Sequence, residues 1–507
     1  MLPLLAFAIG LVQSPSTVLT DRLYGARLPI ATRDLPFFQV QLELGSILSN
    51  TSSIVGPSDP MWSNATERYN NLARPHPQVV VSPGSEEDIG KIVKYANENR
   101  FEFFVVNRGH ALTSTVSQFN GIQIDVRNLR GISISPGKES VRLQAGAFNY
   151  EVIEALWKEG YVTTTGSCSC VGIAGLALGG GHGVQQGAHG LISDNVISLD
   201  VVLSNGTAIT VNETSNVDLW WAMRGAGHNF GIVTSFEMNI YPFTVENYFY
   251  RTYEFEGHVL ELLFEELNRL LNNGTMATEM AMTFGVYTIV PDISTTEATI
   301  SWTFVYAGPK AEADPLLSPF DLLDPVSVQE DSVPYTEVSD AVASGLTSEL
   351  CAPNRTHIIG TAGLQVYNIT TQRLIYDSFN KRVAQHPELA NTRVVHEGYS
   401  VEAVRNGKSD NSAFPLRNDY LLMYFDATPE PGSGLEDFAT KWAHEAVDMW
   451  NAGQPERLPT TYVNYAAGYE SLESMYGYEP WRLERLLSLK ARYDPYNRFA
   501  YYNPIVP

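Results

Sequence analysis

Four stretches of the chain carry residue types and spacings that can do chemistry. In the first, Asn107-Arg108-Gly109-His110-Ala111, an apolar run ends in a glycine turn that holds an imidazole. The second, TTTGSCSCVGIAGLALGGGHG over 163–183, gathers Gly166, Ser167, Cys168, Val171, Gly172, Gly175, Gly179, Gly180 and Gly181. The third, RGAGHNFGIVTSFE, carries Gly231, Ile232 and Val233. Glycine lets a backbone approach a ligand closely and turn successive N–H groups toward an anion. Any single glycine here also fits a tight turn or a β-bulge in a closely packed sheet. The spacing matches neither the dinucleotide fingerprint nor the phosphate loop of nucleotide hydrolases, whose lysine is absent. The fourth stretch, YVNYA over 462–466, offers Tyr462, Asn464 and Tyr465. His182 and His228 also lie in glycine turns, but without metal-ligand spacing. His444-Glu445 begins like a zinc motif, yet Asp448 stands where its second histidine belongs, so no metal is expected.

The elements that must position these residues are legible in the periodicity. HPQVVVSP predicts a short strand, and Ser85 with Asp88 forms a capping box ahead of a helix bearing Ile89, Ile92, Val93 and Ala96 at helical spacing. FEFFVVN (101–107) predicts the strand that delivers His110, with further strands at 122–126 and 141–145. FNYEVIEALWKEG predicts a helix ended by Gly160. VISLDVVLSNGTAITV predicts a hairpin turning at Asn205-Gly206, and IVTSFEMNIYP alternates Phe236, Met238 and Ile240 inward against Glu237 and Asn239. Residues 70–245 thus read as one α+β unit. Over 246–455, alternating strands (277–290, 296–306) and helices (259–271, 371–385, 433–450) predict a large sheet with helices on one face. A Pro- and acid-rich connection lies near 307–335, and a helix is predicted at 480–491. Residues 15–60 lack clear periodicity, and 15–69 reads as an N-terminal extension.

The 507 residues are 44% hydrophobic and 18% charged, which excludes a disordered or fibrous chain. A net charge of -23 repels phosphate backbones and argues against nucleic acid as a partner. Three cysteines cannot make a disulfide framework, and at least one thiol is left over. The opening MLPLLAFAIGLVQS is too short to span a bilayer but has signal-peptide length, so 1–14 is expected to be a signal peptide. Seven N-x-[ST] sequons, at Asn50, Asn64, Asn205, Asn212, Asn273, Asn354 and Asn368, suit a secreted glycoprotein. No later segment reaches about 18 continuous apolar residues, so no membrane span is expected.

RGHAL, TGSCSCVGIAGLALGGGHG, SDNVISLDVVLSNG, RGAGHNFGIVTSFE and the C-terminal YVNYA with RLLSLKARYDPYNRF follow one another in a fixed order. Together they resemble the berberine bridge enzyme-like flavoprotein oxidases of the vanillyl-alcohol oxidase class. The resemblance spans roughly 70–245 and 456–507 and is weak over 246–455. It implies an α+β fold: a PCMH-type FAD-binding domain at 70–245, made of two α+β subdomains. The segment 456–507 returns to complete it. Residues 246–455 become a substrate domain with a large antiparallel sheet covered by helices.

The resemblance further implies that His110 is joined covalently to the flavin's 8α carbon. The backbone of Asn107, Arg108, Gly109 and Ala111 would hold the pyrophosphate. Some members add a thiolate bond to flavin C6, and Cys168 stands in register for it, with Ser169 replacing the family's Pro and a second Cys at 170. Cys168 and Cys170 read equally as small buried residues, or one of them as paired with Cys351. Val171 occupies the position that gates oxygen access. Gly166, Ser167, Gly172, Gly175, Gly179, Gly180 and Gly181 match a second cradle around the isoalloxazine and phosphates. Gly231, Ile232 and Val233 match the adenine-side strand, and Asn464 a flavin contact. Tyr465 lies where relatives place the catalytic tyrosine, with Tyr462 the runner-up. Other relatives use a Glu on a strand that corresponds to 415–425 here, where Met423 stands and no Glu is found.

The expected activity is a secreted, monomeric FAD-dependent oxidase. It moves hydride from an alcohol or activated C–H of a small natural product to flavin, and O2 takes the electrons to give H2O2. Tyr287, Trp302, Tyr306 and Tyr367 could serve such a substrate or an oligosaccharide. The alternatives are an oligosaccharide oxidase and, in another class, a non-catalytic flavin-binding glycoprotein.

Overall fold

The computed structural model describes residues 36–430 and 432–506. The expected signal segment 1–14, with residues 15–35 of the extension, lies outside the described residues.

In the N-terminal half, runs of β-branched and aromatic residues make two sheets. In the first, Ser53–Val55, His76–Ser82, Asn120–Asp125 and Glu102–Val106 lie side by side in that order. The last three are parallel, and Ser53–Val55 joins antiparallel. The second is antiparallel, in the order Ile132–Ile134, Ser140–Gln144, Ile232–Asn239, Val196–Val202, Ala208–Asn212. Phe236, Met238 and Ile240 are buried as their alternation predicts. The helix Glu86–Glu98 starts at the Ser85–Asp88 capping box and buries Ile89, Ile92, Val93 and Ala96. The buried Asp88 carboxylate also accepts the Ser49 N–H and the Ser49 and Ser52 hydroxyls. It thereby fixes the helix Phe37–Glu43 and the strand Ser53–Val55 on this half. The extension is therefore not wholly irregular; its elements are too short to leave a period.

The C-terminal half is one seven-stranded antiparallel sheet. Its order is Ser327–Val333, Tyr248–Phe255, Ser294–Ala307, Met280–Val290, Arg393–Tyr399, Leu421–Ala427, Ile358–Leu364. Helices Leu260–Leu271, Ile369–Gln385 and Glu436–Ala452 pack on it as one hydrophobic core. The acid-rich stretch near 307–335 is not a plain connection: it forms the helix Lys310–Asp321 and the edge strand Ser327–Val333. The buried Arg251 guanidinium explains this, for it pairs with Asp314, Asp321 and Glu330 and folds the acids back on the sheet. Two prolines inside that helix hide it from the sequence pattern.

The C-terminal segment returns to both halves. YVNYA alternates between them, with Tyr462 in the core of the seven-stranded half and Val463 and Ala466 in the other. The buried Lys490 ammonium donates to the Asn229 and Phe499 carbonyls and to Asp494, tying the helix Pro480–Tyr493 to the N-terminal half.

Candidate active site

The strand Glu102–Val106 runs into Asn107, and Gly109 takes a φ of 73°, a value that favours glycine. This turn delivers His110 to the rim of a cavity. Asn107, Arg108, Gly109, His110, Ala111, Val171, Gly172, Gly175, Gly231, Ile232, Val233 and Asn464 all line that cavity. Sequence positions far apart thus converge on one wall. The segment after Val171 is a short helix, Ile173–Leu178, rather than a strand meeting a turn. A Cβ added at Gly172 would collide with the Asn107 amide, whereas one at Gly175 would meet nothing.

Gly166, Ser167, Cys168, Gly179, Gly180 and Gly181 do not line this cavity; they brace its neighbours. The Gly166 N–H donates to Asn149, and the Ser167 hydroxyl lies 3.0 Å from that of Tyr399. Gly179 leaves room for Asn464. Gly180 and Gly181 take φ values of 106° and 85°, and the Gly181 N–H donates to the Tyr462 hydroxyl at 3.1 Å. Tyr462 in turn accepts a hydrogen bond from Asn464 at 2.7 Å, so it is a brace with its oxygen already engaged.

The cavity wall carries unpaired polar atoms. Asn107 Oδ1, His110 Nδ1, His228 Nδ1 and Asn464 Oδ1 are buried without a partner in the protein. Buried polar groups are seldom left so, and all four belong to residues that line the cavity. Arg68 and Arg498 add positive charge to the same wall. Burial, reinforced by Arg108, pulls His110 down to about 4, so its imidazole is neutral at physiological pH. An apolar cleft with glycine-exposed backbone, two guanidinium groups and a neutral histidine fits the ring, ribityl and phosphate parts of FAD.

A second cluster of polar side chains comes from the seven-stranded sheet. In a strand, alternate side chains share a face, so Arg393–Tyr399 directs Glu397 and Tyr399 to one side. The register sets Tyr424 opposite Val395 and Asp426 opposite Arg393, placing both on that same face. The Tyr465 hydroxyl donates to the Glu397 carboxylate at 3.0 and 3.2 Å, and the Tyr399 hydroxyl donates to it at 3.0 Å. Tyr424 packs edge-on against Tyr465 at 5.2 Å. Glu397, Tyr424 and Tyr465 lie deep in the protein yet keep open surface, which therefore faces internal space. Burial raises Glu397 to about 7, against the two tyrosine hydrogen bonds that lower it.

Burial and the Glu397 charge raise the Tyr465 hydroxyl well above the usual tyrosine value. Tyr465 and Glu397 therefore form one hydrogen-bonded pair, with an ionisable oxygen on each side. Met423 points to the opposite, helix-covered face, as does its cross-strand neighbour His396, so position 423 does not reach the site. Tyr287, Trp302 and Tyr367 are likewise core residues packed around Phe264 and His396, and Tyr306 is buried; none forms a substrate platform. Glu397 escaped sequence reasoning, although a carboxylate inside the apolar run RVVHEGY was a usable signal.

The cysteines resolve into a Cys170–Cys351 disulfide and a free Cys168, whose sulfur lies 3.6 and 3.7 Å from the other two. Of the two cysteines that could pair with Cys351, it is Cys170 that does. Of the other histidines singled out, His182 packs edge-on against Tyr462, and His228 stacks on Tyr502 at 4.2 Å.

A glycine-lined cleft of this kind, in a chain that also holds a buried Tyr465–Glu397 pair, suits a flavin-dependent oxidoreductase. Residues 77–212 match the FAD binding domain family. Over 468 residues, 92% of each chain, the protein is 54% identical to the FAD-linked oxidoreductase anuG of Penicillium roqueforti. It belongs to the FAD-linked oxidoreductase family, and its cofactor is FAD. The fold is that of the PCMH-type, berberine bridge enzyme-like oxidases. Physcomitrella patens BBE-like 1 superposes with a TM-score of 0.77 at 20% identity, covering 93% of this chain and 99% of that one. A glucooligosaccharide oxidase from Acremonium strictum, whose FAD is 6-S-cysteinyl and 8α-N1-histidyl, gives 0.76 at 20% identity, with 92% and 99% covered. Among the described residues no helix is long and apolar enough to cross a membrane.

Proposed function

We propose that the protein oxidises an alcohol or activated C–H of a small natural product, with FAD joined to His110 and O2 as final acceptor, releasing H2O2. The observation that carries this reading is the buried Glu397 carboxylate between Tyr465 and Tyr399. Bound FAD supplies the hydride acceptor and returns the electrons to oxygen. Glu397, lifted to about 7, is available to take the substrate O–H proton near neutral pH. Tyr465 holds that carboxylate in place and presents its own hydroxyl to the internal space. Tyr399, itself anchored on Ser167, fixes the other side.

A neutral His110 with an unpartnered Nδ1 favours the covalent link. A second link falls to Cys168, the free thiol, which burial pushes up to about 11 and so keeps protonated. The open walls near Glu397 are tyrosine rings, which favour a flat, lipophilic substrate over a sugar. The exposure of Asn50, Asn64, Asn205, Asn273, Asn354 and Asn368 supports a glycosylated, secreted protein.

Peroxide release from a panel of aromatic and allylic alcohols tests the reading. Turnover of oligosaccharides alone moves it to a sugar oxidase. A protein whose yellow colour bleaches with no substrate in the absence of O2 is a flavin-binding glycoprotein instead. Acid precipitation tests the link: the pellet stays yellow if His110 carries FAD.

A further inference from the structure

We propose that Tyr69, His357 and Asp426 form a positioning column that aims the His110 imidazole at the flavin. The proposal rests on the covalent link above. The His110 ring stacks on Tyr69 at 4.7 Å between centroids and 16° between planes. Tyr69 stacks on His357 at 4.1 Å and 13°. His357 Nδ1 meets both carboxylate oxygens of Asp426 at 3.0 Å. Three rings therefore lie nearly parallel, ending on a carboxylate.

The column is braced along its length. The Tyr69 N–H donates to the Gly109 carbonyl, and the Arg355 N–H to the Tyr69 carbonyl. The Asn70 side chain clasps His357, donating to its carbonyl and accepting its N–H. Tyr69, His357 and Asp426 are all buried. A reactive histidine is usually oriented by a strong acceptor on its second ring nitrogen. Here His110 Nε2 faces the Cys170 sulfur at 3.5 Å, a weak acceptor already held in the disulfide. Stacking therefore fixes the plane of the ring, the disulfide sulfur limits its rotation within that plane, and Nδ1 is buried without a hydrogen-bond partner in a residue that lines the cavity.

The reaction being aimed joins Nδ1 to the flavin's 8α carbon. The imidazole and that methyl group each release one proton, two electrons pass to the flavin ring, and O2 takes them up as H2O2. Ring orientation controls this step without touching FAD affinity, which the backbone cradle supplies.

The test compares wild type with Tyr69→Leu, Tyr69→Phe and Asp426→Asn, purified from cells with equal FAD supply. Total FAD and the acid-stable fraction are measured, the latter by in-gel fluorescence. Tyr69→Leu is expected to cut the acid-stable fraction to about a tenth at unchanged total FAD. Tyr69→Phe, which keeps the stack, should restore it, a rescue that a loss of folding does not explain. Asp426→Asn changes no volume and should give a smaller loss, so the column stays testable if Tyr69→Leu fails to fold. A wild type that releases all its FAD into acid overturns both the link and the column. A wild type that retains it, with Asp426→Asn and any folded Tyr69→Leu retaining it equally, overturns the column alone.

Discussion

In the N-terminal half the site is made of backbone. Gly109, Gly172, Gly175 and Gly231 bring main chain to the cavity, and several lining residues carry buried polar atoms without a partner in the protein. In the seven-stranded half the site is made of side chains: Glu397, Tyr399, Tyr424 and Asp426 project from one face of two paired strands. The halves thus divide the work. A backbone cradle binds a cofactor by shape and hydrogen bonding, tolerating change in most side chains. A carboxylate held by tyrosines moves a proton, and that depends on one ionisable group. The difference teaches where substitutions act: in the first half on how the cofactor is held, and at Glu397 in the second on turnover with cofactor retained, whereas Asp426 serves the link to His110.

The sharpest way to break this comparison is Glu397→Gln, which keeps the shape and removes the base. Anaerobic flavin reduction followed by stopped flow should slow by roughly 10²–10⁴-fold while FAD content is unchanged. In wild type the rate should rise with pH through about 7, as the carboxyl ionises, and the variant should lose that step. The stability sign is opposite. A carboxyl whose folded value is raised favours the folded state below its unfolded value, and this contribution is lost as pH rises through about 7. Wild type should therefore lose stability relative to Glu397→Gln across that window. A pH-independent wild-type rate would remove Glu397 from the proton transfer.

Cys170→Ala probes the seam between the halves, because its disulfide closes a sequence separation of 181 residues. Loss of the bond should cost about 2–4 kcal/mol in denaturant unfolding, with peptide mapping confirming the Cys351 thiol. Unchanged stability would mean that the two segments are held by packing alone.

Tyr465→Phe should have the smallest effect on the rate. It removes one hydrogen bond to a charged group, about 1.5–3 kcal/mol, or on the order of 10–10²-fold in flavin reduction. A loss as large as that of Glu397→Gln would instead make the tyrosine the base.

Much of the N-terminal half was legible because its signals are local. A strand ending in Arg108-Gly109-His110, a capping box at Ser85 and a turn at Asn205-Gly206 each specify backbone geometry within a few residues. Arg251 gathering Asp314, Asp321 and Glu330 left no such mark, so a helix and an edge strand passed for a connection.

By itself the sequence determined most of the secondary elements outside 307–335, because these rest on periodicity and on short spacings that the backbone must obey. Its resemblance to a known family, not its spacing, pointed to the glycine turns, His110 and the class of chemistry. Only the tertiary structure decided which cysteine pairs with Cys351, that Tyr462 is a brace, and that Glu397 faces Tyr465. It also decided that Met423 points away. The physical reason is register: strand pairing with period two settles which side chains share a face, and a carboxylate becomes a base only once burial and its neighbours have raised its pKa.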